Sequence, residues 1–149
     1  MSPNIKMLTS KFQTRNPFEL AKCLGIIVIH SPLTDVKGFC QCIKRTKFIY
    51  ISDQLDENEQ QFVCAHELGH LLLHGGVNRY FMSSCTRLIP GRYEREADQF
   101  AVDLLWSDEE LREYQDWTIP QIAVKLGISE RLAEYRMLSV IPKFRGYDN

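Results

Sequence analysis

The sequence predicts an α+β fold: a small antiparallel sheet packed on a long helix, with a helical hairpin at the C-terminal end. Three observations lead there. Short β-branched and aromatic runs cluster in the first third, at Ile26–Ile29, Gly38–Ile43 and Lys47–Ser52. From Asp53 onward the apolar residues recur at helical spacing instead. The composition is that of an ordinary globular chain, 149 residues with 44% hydrophobic and 25% charged. A chain of that length buries roughly two-thirds of its unfolded surface without staples.

Asn16 through Gly25 reads as a short helix, with Asn16 as cap, Pro17 at the first helical position and Gly25 as the stop. Ile26 to Ile29 is a strand ended by Pro32. Two further strands, Gly38–Ile43 and Lys47–Ser52, are joined by the basic turn Lys44-Arg45-Thr46. A long helix starts near Asp53 to Asp56, where Asp56 and Glu59 have capping-box spacing. Phe62, Val63, Leu68, Leu71, Leu72 and Leu73 are its apolar positions, and Gly75-Gly76 ends it. Val77 to Arg92 lacks a period and reads as a loop. Tyr93 to Trp106 is a second helix with Ala97, Phe100, Ala101, Leu104 and Leu105 on one face. Ser107-Asp108-Glu109-Glu110 opens a third with an acidic first turn.

Charge and cysteines narrow the class. Eighteen basic against 19 acidic residues give a net −1, so no overall basic excess asks for nucleic acid or an anionic membrane. The longest apolar run near the start, Gly25 to Ile29, is too short to span a bilayer and sits too far in for a signal peptide. The five cysteines (Cys23, Cys40, Cys42, Cys64, Cys85) follow no disulfide-framework spacing. The expectation is a cytoplasmic monomer with reduced thiols and no membrane partner.

His66-Glu67-Leu68-Gly69-His70 is H-E-x-x-H inside the long helix. Residues four apart lie about 40° apart around a helix and about 6 Å along it, so two imidazoles converge on one cation. Glu67 falls on the adjoining flank, where it reaches a water rather than the metal. That set suits Zn2+ as Lewis acid with a carboxylate as general base. His74 extends the series, but a rise of about 12 Å from His66 keeps one ion from binding both. It reads as a helix-end histidine, or one that supports a ligand from behind.

A third ligand must come from elsewhere, and Glu94-Arg95-Glu96-Ala97-Asp98 offers carboxylates. At about 100° per residue, Glu94 borders the apolar face of its helix, whereas Glu96 lies further round. A buried glutamate between packed helices is costly unless it ligates or pairs. Glu94 is therefore the better third ligand and Glu96 the alternative. Asp98, one turn beyond Glu94, is placed to accept an N–H from a ligand histidine.

With these residues the chain resembles the ImmA/IrrE family of zinc metallopeptidases. The resemblance rests on His-Glu-Leu-Gly-His-Leu-Leu-Leu-His at 66–74, Glu-Arg-Glu-Ala-Asp-Gln-Phe-Ala at 94–101, Leu104-Leu105 and the Leu-Gly-Ile at 24–26. Trp106 departs from the Met-Pro that often follows the Leu-Leu pair. The resemblance implies a zincin-like domain of gluzincin type: His66 and His70 as ligands, Glu67 as general base, and a glutamate of the 94–98 motif as third ligand. It also implies a protein substrate, a helix-turn-helix repressor whose cleavage derepresses a phage or mobile element.

Ile119 to Arg136 has helix, glycine turn, helix spacing around Gly127. From Ser129 to Arg136, Glu130 and Glu134 balance Arg131 and Arg136, a poor charge set for a DNA groove. A structural or partner-docking pair is the better reading. The sequence thus divides into a peptidase domain at 1–106 and a helical segment at 107–149 packed on it. The competing functions are a non-proteolytic zinc-containing regulator and a toxin-antitoxin partner that binds protein or DNA through the C-terminal helices. An intact Glu67 favours the peptidase, since a structural zinc site needs no base beside it.

Overall fold

A computed structural model of the chain describes residues 3–75 and 91–141. Its elements run α1 (Pro3–Phe12), α2 (Pro17–Cys23), β1 (Ile27–Ser31), β2 (Gly38–Ile43), β3 (Thr46–Ser52) and α3 (Glu57–Leu73). After these come α4 (Gly91–Leu105), α5 (Asp108–Arg112), α6 (Ile119–Leu126) and α7 (Glu130–Val140). The fold is α+β, as expected, with one three-stranded sheet and seven helices among the described residues. Of the loop expected at 77–92, residues 77–90 lie outside the described residues, as do Gly76 and the tail at 143–147, while Gly91 and Arg92 already belong to the first turn of α4.

Helix α1 is an element the sequence reading did not include. Ile5, Leu8 and Phe12 share one face of it; Ile5 is fully buried and the other two pack on the same core. Helix α2 forms as expected. The Asn16 side chain accepts from the Phe18 N–H at 2.9 Å, and Pro17 opens the helix. Gly25 closes it at φ +71°, while the Ile26 N–H reaches back to Ala21 O at 2.9 Å.

The sheet is mixed rather than antiparallel. Its order is β1-β3-β2, with β1 parallel to β3 (Ile27 opposite Phe48) and β2 antiparallel to it (Gly38 opposite Ile51). Alternation of apolar residues predicts strands but not their direction, and here the connection decides it. Residues 32–37 carry the chain across the end of β3, so β3 lies between β1 and β2. The span to cross is about 10 Å, well within reach of a segment this long. The Ser52 N–H donates to Lys37 O at 2.8 Å and the Asp53 N–H to Ser31 O at 3.0 Å, which pins the crossing. Lys44 and Arg45 make the two-residue turn of the β2–β3 hairpin, both with positive φ (49° and 68°); Thr46 already belongs to β3.

Helix α3 starts at Asp56, whose side chain accepts from the Glu59 N–H at 2.8 Å. Cys64, Ala65 and Leu68 are fully buried in the same core as Ile49 and Ile51 of the sheet. Helix α4 packs on α3 across Gly69. A Cβ there would meet Phe100 at 3.1 Å, so the glycine lets the two helices approach.

Helices α6 and α7 pack on each other around a second cluster that includes Leu111, Ile122, Ala133 and Met137. Gly127, at φ +70°, makes the turn between them. Arg136, counted above among the outward charges of this segment, is instead fully buried. Its Nη2 donates to Trp106 O at 2.8 Å and to Asp108 Oδ1 at 2.7 Å, and its Nε lies 3.6 Å from Asp103 Oδ1. The Tyr135 hydroxyl donates to Asp103 Oδ2 at 3.0 Å. These bonds tie α7 to the end of α4. Glu130, Arg131 and Glu134 stay exposed, so the outward charge of this stretch is acidic rather than balanced.

Candidate metal centre

Helix α3 presents His66, His70 and His74 at four-residue steps, and α4 brings Glu94, Glu96 and Asp98 against them. Glu94 closes the site. Its Oε1 lies 2.8 Å from His70 Nε2 and its Oε2 lies 3.2 Å from His66 Nε2, while the two Nε2 atoms stand 3.1 Å apart. One donor atom from each of the three falls within 4.8 Å of the others. Glu96 goes elsewhere: its Oε2 lies 2.7 Å from His74 Nε2.

The outer nitrogens are held as well. Nδ1 of His66 lies 2.7 Å from Asp98 Oδ1. Nδ1 of His70 lies 3.1 Å from Nδ1 of His74. A chain of contacts therefore runs from His70 through His74 to Glu96. His74 is buried, and the Tyr93 ring covers it at 4.3 Å between centroids. As the rise along the helix requires, His74 stands outside the group of three donors.

Glu67 is 6% exposed, and its Oε2 has no hydrogen-bond partner among the described residues. Burial raises its pKa, opposed by the charges of His66 and His70. The Cys40 thiol of β2 is buried near this carboxylate, and burial beside that charge pushes the thiol pKa far up. Burial works against a charged His66 too, but hydrogen bonds to Asp98 and Glu94 outweigh it, and its pKa is pushed up to about 10. Hydrogen bonds from His66 and His70 hold the Glu94 carboxyl well below the usual carboxylate range. The site concentrates proton-binding imidazole beside carboxylate, the electrostatics of a place built for a cation.

The donor set fits a divalent ion. Ligand bonds of about 2.0–2.2 Å in a tetrahedron put neighbouring donor atoms about 3.4 Å apart. The separations of 3.1 and 3.2 Å are within a few tenths of that, and the 2.8 Å one is shorter by about 0.6 Å. Among the described residues the group has three donors, the number that catalytic zinc sites take from the protein.

Comparison with known sequences decides the family. The profile of the IrrE N-terminal-like domain, a peptidase family, matches residues 21–138. The chain belongs to the ImmA/IrrE peptidase family. It is 39% identical over 143 residues to "Uncharacterized immunity region protein 2" of Bacillus phage phi105, covering 94% of this chain and 90% of that one. It is 29% identical over 133 residues to "Metallopeptidase ImmA" of Bacillus subtilis (strain 168), covering 85% of this chain and 78% of that one. Among solved structures, a Mycobacterium tuberculosis transcriptional regulator superposes with a TM-score of 0.53 at 15% identity, over 89% of this chain. That likeness is one of fold, and this chain spans 44% of the regulator's length.

Two features of the site were not read from sequence. Cys40 counts there only as one of five cysteines without framework spacing; nothing in the sequence links it to a carboxylate 27 positions on. Glu96 was weighed as a ligand, and its place behind His74 depends on how α4 lies against the end of α3. No helix among the described residues is long and apolar enough to cross a membrane.

Proposed function

We propose that this chain is a zinc-dependent endopeptidase in which His66, His70 and Glu94 hold the ion and Glu67 is the general base. The observation that carries this is the convergence of two imidazole Nε2 atoms and one carboxylate within 4.8 Å, next to a buried Glu67 oxygen with no hydrogen-bond partner among the described residues. A bound zinc supplies the Lewis acidity that polarises a peptide carbonyl and acidifies water at neutral pH. Glu67 takes a proton from the attacking water as the new C–O bond forms. It then delivers that proton to the amine nitrogen as the C–N bond breaks. Asp98 and His74 accept from the outer nitrogens of His66 and His70, fixing each ring so that its Nε2 faces the ion.

The substrate in this reading is a helix-turn-helix repressor, and its cleavage derepresses a phage or mobile element. The relatives' names, a phage immunity-region protein and a metallopeptidase, support that setting. The chain works as a cytoplasmic monomer, with a zincin-like peptidase unit at 1–106 and a helical hairpin at 107–149 seated on it. Two separate apolar clusters, one on each side of Trp106, support the division. Co-expression with the repressor encoded nearest to it tests the proposal. Repressor fragments with wild type and none with Glu67→Gln are expected; fragments with both forms would remove Glu67 from its role.

A further inference from the structure

A groove of about 990 Å³ joins the metal centre to the C-terminal helices. His66, Glu67 and Asp98 line one end of it. Phe62 of α3, Trp106, and Val124, Ile128 and Leu132 from around the α6–α7 turn supply apolar lining. Val124 is 84% exposed, the most open large hydrophobic among the described residues. A solvent-facing valine in an apolar groove that ends on a candidate reaction centre is not explained by packing.

The charges indicate what lies there. Among the described residues, Asp56, Glu59, Glu67 and Asp98 line the groove against Lys37, Lys125 and the His66 imidazolium, an excess of one negative charge. A phosphate backbone would be repelled; an apolar stretch with basic flanks would be held at both levels. The wall is also fixed relative to the site. Arg136 and Tyr135 bind α7 to Asp103 of α4, the helix that carries Glu94 and Asp98.

We infer that the α6–α7 turn is the specificity wall of the groove, and that its occupant is an apolar segment with basic flanks in the protein being cleaved. This rests on the peptidase reading and deepens it: the glycine-turned helix pair selects substrate instead of reading DNA.

The test uses the full chain carrying Glu67→Gln and three fluorescein-labelled synthetic peptides. One has a leucine-rich centre with arginine flanks, one the same centre with glutamate flanks, and one a serine centre with arginine flanks. Fluorescence anisotropy should show tightest binding of the leucine–arginine peptide. Adding Val124→Asp should weaken it about tenfold, the loss of roughly one well-buried apolar contact. Leu132→Ser should act in the same direction. Because Val124 is exposed, the thermal melt of its variant should match the parent, which separates lost binding from lost folding. Equal binding of all three peptides, or affinity unchanged in both variants, overturns the inference. So does a chain that is dimeric until Val124→Asp makes it monomeric, since the groove would then hold a second copy. Zinc-loaded wild type provides the remaining comparison. Selective binding without hydrolysis upholds the wall and removes the peptidase reading; hydrolysis of all three peptides alike does the reverse.

Discussion

Gly69 lies so close to Phe100 that a Cβ built on it would stand 3.1 Å from both Cβ and Cδ1 of that ring. Phe100 sits on the helix that carries Glu94, so the glycine at the inner x of H-E-x-x-H sets how near the third donor comes. Gly69→Ala must push α4 outward, because the Phe100 Cβ is fixed to backbone and cannot swing aside. The expected outcome is a loss of about 1–3 kcal/mol of stability in urea denaturation, with weaker zinc binding in a chelator competition. Unchanged values for both would show that α4 yields freely.

Asp98 and Glu96 support the two histidines by different routes, one directly and one through His74. Asp98→Asn and Glu96→Gln should each lower zinc affinity about 10–100-fold; Asp98→Asn should also lower the metal-free melting temperature, because Asp98 holds the protonated His66, whereas Glu96→Gln should move it little. Glu96 is on the exposed side of its helix, so a simple packing role would leave affinity untouched. Affinity equal to wild type for Glu96→Gln would exclude the His70–His74–Glu96 chain.

The site should give the metal-free and zinc-loaded forms opposite pH dependences. The folded pKa of His66 is raised to about 10. Its contribution is fully present below its unfolded value, near 6.5, and is lost as pH rises through the folded value. Glu94 is shifted down, so its contribution is present above the ordinary carboxylate range and lost only as pH falls below it. Without metal, stability should therefore fall between about pH 6.5 and 10. Zinc binding needs deprotonated imidazoles, so its affinity rises over the same range until they are neutral. Melting curves at pH 6.5 and 9, with chelator and with zinc, should diverge as pH rises. Parallel curves would mean the imidazoles do not face the ion.

The β2–β3 turn can be improved. Lys44 and Arg45 both occupy the left-handed region, which costs a residue with a Cβ about 1–2 kcal/mol. Replacing them with Asn-Gly, the pair such a turn favours, should raise stability by about 0.5–2 kcal/mol in denaturant melts. Peptidase activity should be unaffected, because the turn lies at the opposite end of β3 from the crossing segment that includes Lys37. A destabilised double variant would contradict the turn geometry.

Much of this was legible because it is local. Asn16, Gly25, Asp56, Ser107 and Gly127 act on backbone within a few residues, and each bounds the helix its chemistry predicts. The placement of Glu94 beside the histidines followed from the rotation of one helix. What escaped depends on long-range arrangement. The direction of β1 is set by the crossing at 32–37, and Cys40 reaches Glu67 only through the packing of sheet on helix. Arg136 looked like a surface charge because its partners, Asp103 and Asp108, lie 33 and 28 positions away. Helix α1 was passed over for its polar composition, although Ile5, Leu8 and Phe12 carried the spacing.

The central claim is that His66, His70 and Glu94 hold one metal ion. Zinc content after gel filtration, measured by plasma emission on wild type, His70→Ala and Glu94→Ala, tests it most directly. One zinc per wild-type chain and a large loss in both variants is the predicted result. His70→Ala protein that keeps the same zinc as wild type would contradict the assignment.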